Sequence, residues 1–184
     1  DGQLTATDAA LVNGCIRSTN GSHGHQGGTQ LTHRHCEFPW NILNINDTVR
    51  IGINSVNQDS TFIDLDILNP DCRLLAYDFT MTGVTIDSVV SIYNGFNPVI
   101  TFDNTTGRIV LLDTMEVSLL KQLVAAKVLR VYYSALTSNT ICISAVNSSV
   151  NADYEETMTG IFNGCVTVTG INILYQSGMI KVMP

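Results

Sequence analysis

All four histidines fall in one stretch, Ser22-His23-Gly-His25-Gln-Gly27-Gly28-Thr-Gln-Leu-Thr-His33-Arg-His35. Two His-x-His pairs flank a Gly-Gly turn. Folded as a hairpin, each pair would present two imidazoles on one strand face, an arrangement that suits Zn²⁺ or Cu²⁺. Glu37 is the nearest carboxylate, and nothing in the stretch is an acid–base partner for catalysis at such a metal. The competing reading is a polar, Gly-rich loop that simply exposes its histidines.

A second candidate opens the chain. In a twelve-residue EF-type calcium loop, position 6 is a turn glycine, an oxygen ligand sits at 5, and a carboxylate closes the loop at 12. With Gly2 at position 6, Asp1 falls at 5, the Gln3 carbonyl at 7, Leu4 at 8, Thr5 at 9 and Asp8 at 12. Positions 1 to 4 would precede Asp1, so the calcium ligands would be Asp1, Gln3 and Asp8, completed from upstream. A chain beginning at Asp is expected to be processed or excerpted. Placing another copy directly upstream would put Lys181 and Met183 at positions 1 and 3, where oxygen ligands are required. The following residues, with Ala9, Leu11, Val12 and Ile16 as the apolar set, read as a short docking helix capped by Thr7 or Asp8. That helix, anchored by Cys15, is the firmer reading of the opening stretch.

Five dispersed cysteines without Cys-x-x-Cys spacing fit disulfides better than zinc. A bridge between Cys15 and Cys36 would close the histidine loop. Among Cys72, Cys142 and Cys165, Cys142 alternates with Ile141 and Ile143 and reads as a buried free thiol, which leaves Cys72 to pair with Cys165. Spacing alone leaves the connectivity open. Four glycosylation sequons, at Asn20, Asn46, Asn104 and Asn147, lie beside turn-like residues and point with the cysteines to a secreted or cell-surface protein. Asp64, Asp66, Asp78, Asp87 and Asp103 are scattered over strands and turns, as on a solvated sheet face. No GxSxG, HExxH or GxxxxGK[ST] motif is present.

Net charge −7 with only 14% charged residues gives no footprint for nucleic acid or an anionic membrane. No apolar run reaches the roughly 20 residues of a membrane span. At 184 residues the chain can bury one good core and carry a small appended module.

Residues 17–39 read as loop. Trp40 to Ile51 can be laid over the opening stretch, with Asp47 on Asp8 and Asn46 or Asp47 capping a second short helix whose calcium chemistry is lost. Val49, Ile51 and Ile53 also alternate as a strand would. From about residue 57 the texture is all-β. Strands are expected at 62–68, 74–81, 84–93, 99–102, 108–112, 128–133, 140–146 and 165–168, separated by Asn and Gly turns. Residues 117–128 suit a short helix or turn. In the strand at 128–133, alternation puts Arg130 and Tyr132 on one face and Tyr133 in the core. Such short, regularly spaced strands predict a β-sandwich. The tail, Ile171-Asn-Ile-Leu-Tyr175 and Met179-Ile-Lys-Val-Met183, reads as a last strand or as one donated to a neighbouring subunit.

The order of pieces resembles a known pair of modules. Asp1-Gly2-Gln-Leu4 through Asp8, with its helix, resembles a dockerin, and the resemblance extends over about residues 1–54. Leu75-Ala-Tyr-Asp-Phe-Thr80, Val99-Ile-Thr-Phe-Asp-Asn-Thr-Thr-Gly-Arg-Ile-Val-Leu-Leu112, Leu129-Arg-Val-Tyr-Tyr133, Thr140-Ile-Cys-Ile-Ser-Ala-Val146 and Phe162-Asn-Gly-Cys-Val-Thr-Val168 resemble a cohesin over about residues 57–170. The resemblance implies a mainly β fold, a cohesin-like sandwich of jelly-roll type from residue 55 to 184, behind a small α dockerin-like segment at 1–54. It also implies calcium holding the dockerin-like part, no catalysis, and a partner helix laid on the sandwich sheet. A chain carrying both surfaces is expected to bind copies of itself head to tail, and unless the rotation closes a ring such contacts build a filament. The rival reading is a secreted metal- or glycan-binding sandwich that acts alone through its histidine loop.

Overall fold

The computed structural model describes residues 43–114 and 118–169. Over those residues the chain forms ten strands and no helix: β1 (Leu43–Asn57), β2 (Phe62–Asn69), β3 (Leu74–Thr82), β4 (Val84–Ser91), β5 (Val99–Asp103), β6 (Arg108–Leu112), β7 (Gln122–Leu136), β8 (Thr140–Asn151), β9 (Glu156–Ile161) and β10 (Cys165–Thr167). They join in one ladder, β4-β7-β2-β1-β9-β8-β3-β6-β5, with β10 on β8. Only β1 and β9 run parallel. The ladder is thinnest between β8 and β9, where a single pair, Val150 and Glu156, connects its two halves.

The halves face one another across one core. Ile51, Ile63, Leu65, Val89, Leu129 and Val131 come from the β4-β7-β2-β1 side, and Tyr77, Phe79, Ile109, Leu111, Ile141 and Ile143 from the β8-β3-β6 side. Each set is one phase of its strand, since alternate side chains of a strand point to opposite faces. This is the expected sandwich.

Several expectations change. Residues 43–57 are strand rather than a second capped helix, because Val49 and Ile51 alternate into the core while the backbone pairs with β2 and β9. A helix there would leave both ladders unpaired. Asn46 and Asp47 therefore cap nothing, and the boundary expected at 54/55 falls inside β1. Residues 122–128 are the start of β7, not a helix. Leu119 instead exchanges two backbone hydrogen bonds with Leu74, both 2.9 Å. β9 has no counterpart among the expected strands. The opening segment through Ile16, the histidine loop, Cys15, Cys36, Asn20 and the tail from residue 170 lie outside the described residues.

Two glycines are conformationally required. Gly83, at φ 93°, turns the chain from β3 to β4, and a Cβ there would meet the Thr140 carbonyl oxygen at 2.3 Å. Gly107, at φ 71°, closes the β5–β6 turn with its Cβ position 2.0 Å from the Met81 carbonyl oxygen. Both take the left-handed backbone that only glycine adopts freely.

Candidate interaction surface

The outward face of β5, β6, β3 and β8 is built in cross-strand rows, because residues directly opposite in a ladder share a face. One row is Val99, Leu112, Ala76 and Val150; the next is Thr101, Val110, Asp78 and Ser148. The first row and its neighbours are apolar. Ala76 and Val150 are buried with Leu75 in a second hydrophobic cluster, distinct from the core, against which Val110, Leu112 and Tyr154 are half-buried. Val99 continues the patch outward at 53% exposure. Tyr154 reaches over it from a loop in which it holds φ 65°, a strained value for a bulky residue.

Beside the apolar row lies a buried charge. The Asp78 carboxylate is fully buried and accepts from Arg108 Nε at 3.0 Å and Nη2 at 2.6 Å. Asn147 Nδ2 donates to the same carboxylate at 2.8 Å. Asn147 can reach it because the β3–β8 register slips between Asp78/Ser148 and Phe79/Val146, leaving Asn147 as the extra bulge residue. The hydrogen bonds that Arg108 donates to Asp78 raise its pKa against the opposing effect of burial. At the tip of the β5–β6 hairpin, the backbone N–H of Thr105 and the hydroxyl of Thr106 donate to Asp103 and lower its pKa.

The opposite outward face carries buried carboxylates held by neighbouring side chains. Asp64 accepts from Arg130 Nε at 2.7 Å and pairs with Lys127 Nζ at 2.9 Å. Asp66 accepts from Asn54 at 2.9 Å. Burial pushes the Asp64 carboxyl up, and the hydrogen bonds and charges of Arg130 and Lys127 more than reverse it, so it is held below the usual range. The Arg130 guanidinium also stacks 3.7 Å from the Phe62 ring centroid, and Phe62 packs edge-on to Tyr132. Arg130 and Tyr132 share this face and Tyr133 is core, as alternation predicts. Asp64, Asp66 and Asp78 do not form the expected solvated acidic face, since each is buried.

The cysteine pairing is corrected. Cys142 and Cys165 are directly opposed in the β8–β10 ladder, with Cα atoms 4.1 Å apart, and form the disulfide. Cys72 is a buried free thiol. It precedes Leu74, which pairs with Asn151, whereas Cys142 pairs with Thr82 at the far end of β3. Eight residues of strand, about 27 Å, separate the two ends, and a disulfide needs Cα atoms within about 7 Å. Burial, with the charges of Asp47 and Asp71, pushes the Cys72 thiol up to about 12.

Of the sequons, Asn46, Asn104 and Asn147 are exposed, on β1, on the hairpin tip and on the β8 bulge. The calcium candidates Asp1, Gln3 and Asp8 and the histidines lie outside the described residues. Among the described residues no group of three or more His, Cys, Asp or Glu side chains is placed to hold a metal, and no helix is long and apolar enough to cross a membrane. The apolar outward face was missed by strand-by-strand reading, although Arg108-Ile-Val-Leu-Leu112 signals it. After Arg108 both phases of that strand are apolar, and a strand with one solvated face should alternate.

No family model matches the chain, and no curated protein matches it. Among solved structures it is similar to the third ScaB cohesin of R. flavefaciens, solved in complex with a group 1 dockerin. That likeness has 13% identity and a TM-score of 0.44, and covers 70% of this chain and 98% of the other. It is also similar to a cohesin module from a family 33 glycoside hydrolase of Clostridium perfringens ATCC13124, at 9% identity and a TM-score of 0.39, covering 65% and 100%. At these identities and scores the likenesses carry neither partner nor activity across.

Proposed function

We propose that the chain is a non-catalytic extracellular structural or adhesive subunit that binds a protein partner on the outward β5-β6-β3-β8 face. The observation that carries this is the second hydrophobic cluster on that face, where Val99, Val110, Leu112 and Tyr154 offer apolar surface toward solvent. An outward sheet face held by packing alone would be polar, and a contiguous apolar patch rimmed by polar groups marks an interaction site. Arg108 and Asp103 at one end of the patch supply a polar rim. The partner is a further copy of the chain, whose segment before Leu43, with the apolar set Ala9, Leu11, Val12 and Ile16, docks on this face. Face and docking segment are different surfaces, so the contact is heterologous and propagates into a filament unless it closes.

The test is light scattering and electron microscopy of the purified chain with calcium present. Association is expected to grow with concentration into filaments. Leu112→Arg, which places a charge in the centre of the patch, is expected to weaken it on the order of tenfold or more. A chain that stays monomeric at high concentration with calcium, or association indifferent to Leu112→Arg, contradicts the proposal.

A further inference from the structure

β5 ends the ladder, bonded to β6 on one side and to no strand of the described residues on the other. Its exposure does not match its register. Ile100 and Phe102 stand opposite Leu111 and Ile109, which are fully in the core, so both point inward. Ile100 is partly buried against the core, yet Phe102 is 37% exposed and joins no cluster. Among the described residues, β4 approaches β5 across the mouth of the sandwich without bonding to it, and the inward-pointing Phe102 stays partly exposed there. Val99 is exposed on the other face of the same strand. Edges of this kind are normally covered or charged, and β5 carries no charge before Asp103 and no proline within it.

The chain supplies a segment of suitable length and pattern. Beyond β10, Ile171-Asn-Ile-Leu-Tyr175 is uncharged, matches the five residues of β5, and carries Ile171, Ile173 and Tyr175 in one phase. Its point of departure decides whose β5 it can reach. β10 lies on β8, on the side away from β3, and Val168 is tied to the Asn139 carbonyl at 2.8 Å. From β10 across β8, β3 and β6 to β5 is four strand spacings, about 19 Å. Three residues from Val168 to Ile171 span at most about 11 Å. The segment falls short of β5 in its own chain.

We infer that Ile171–Tyr175 adds as a strand to the β5 edge of a second copy, covering Phe102 and continuing the sheet from one subunit to the next. The inference deepens the self-association reading by naming a second, independent contact. Donor and acceptor are different surfaces of the chain, so this contact is also heterologous and propagates unless it closes. Backbone hydrogen bonds would supply the pairing, and Ile171, Ile173 and Tyr175 would meet the open side of the core.

The experiment uses the full chain with a photo-crosslinking residue, p-benzoylphenylalanine, in place of the inward-pointing Phe102, mixed as ¹⁴N- and ¹⁵N-labelled preparations. Mixed-isotope crosslinks to the peptide containing Ile171–Tyr175 are expected. Ile173→Pro, which removes the N–H and cannot continue a ladder, is expected to lose them, while Ile173→Val keeps them. Crosslinks confined to one isotope, crosslinks to another segment, or an Ile173→Pro chain that crosslinks like the parent would overturn the inference. Leu112→Arg in the same labelled chain separates the two contacts. Crosslinks that persist while association ignores Leu112→Arg defeat the docking face alone. Association that depends on Leu112 without any crosslink defeats the tail contact alone.

Discussion

At the scale of the residue, the charged groups that draw attention in the sequence are structural. Asp64 sits between Arg130 and Lys127, and Asp78 sits beneath Arg108 and Asn147. Removing the cationic partner leaves a buried carboxylate uncompensated, which costs more than the pair contributes. Asp64→Asn is expected to lower stability by roughly 2 kcal/mol, less than for a fully buried pair because Arg130 and Lys127 reach solvent. Because the folded Asp64 pKa lies below the unfolded value of about 3.9, its contribution is complete above that value and is lost as pH falls through the lowered folded pKa. Urea melts at neutral pH and near pH 2 check this: the gap between parent and Asp64→Asn should narrow in acid, and an unchanged gap counts against the pairing. Cys72 gives a second residue-scale test. A thiol buried and raised to about 12 has almost no thiolate at pH 8, so iodoacetamide should label it only on unfolding. Labelling of the folded chain would contradict its placement.

At the scale of the element, what was legible depended on where the backbone partners lay. β2, β3 and β6 were readable because local alternation or a bounding turn sets their limits: Asn69-Pro-Asp ends β2, Gly83 ends β3 and Gly107 starts β6. β1 was legible only as an alternative. Its N-terminal half is fixed by pairing with β9, more than a hundred residues away, and no local pattern encodes that. Residues 122–128 looked helical because Leu123-Val-Ala-Ala-Lys127 has good helix formers and no turn residue. Pairing with β2 overrides that propensity at the cost of a bulge between Gln122 and Ala126, which leaves Leu123 and Val124 80% and 76% exposed. The cysteine pairing was illegible for the same reason, since β10 is three residues long and its register comes from β8. The disulfide closes a loop with a sequence separation of 23, worth about 3 kcal/mol in the chain-entropy model. Cys142→Ala/Cys165→Ala is expected to lower the melting midpoint accordingly, whereas Cys72→Ala leaves the disulfide intact on a non-reducing mass map. A map showing Cys72 bridged to Cys165 would refute the pairing.

At the scale of the whole molecule, the two outward faces differ in kind. The β4-β7-β2-β1 face carries the Asp64–Arg130–Lys127 network beside Phe62, and its exposed apolar side chains Leu123 and Val124 sit in the bulge at the start of β7. The β5-β6-β3-β8 face keeps apolar side chains half open to solvent beside the Arg108–Asp78 ion pair. That asymmetry is the basis for reading the chain as an interaction module with one docking face and one open strand edge. Sequence reasoning reached the sandwich through the spacing of strands and turns, and the idea of a docking surface through the cohesin and dockerin resemblance. It could not place the surface, because whether Val110 and Leu112 face core or solvent depends on β6 pairing with both β3 and β5. Hydroxyl-radical footprinting of the full chain, dilute and then concentrated with calcium, tests the central claim most directly. Oxidation of Val99, Leu112 and Tyr154 should fall on concentration while Phe62 and Tyr132 on the other face stay unchanged. Protection of Phe62 and Tyr132 with Leu112 still fully reactive would contradict it.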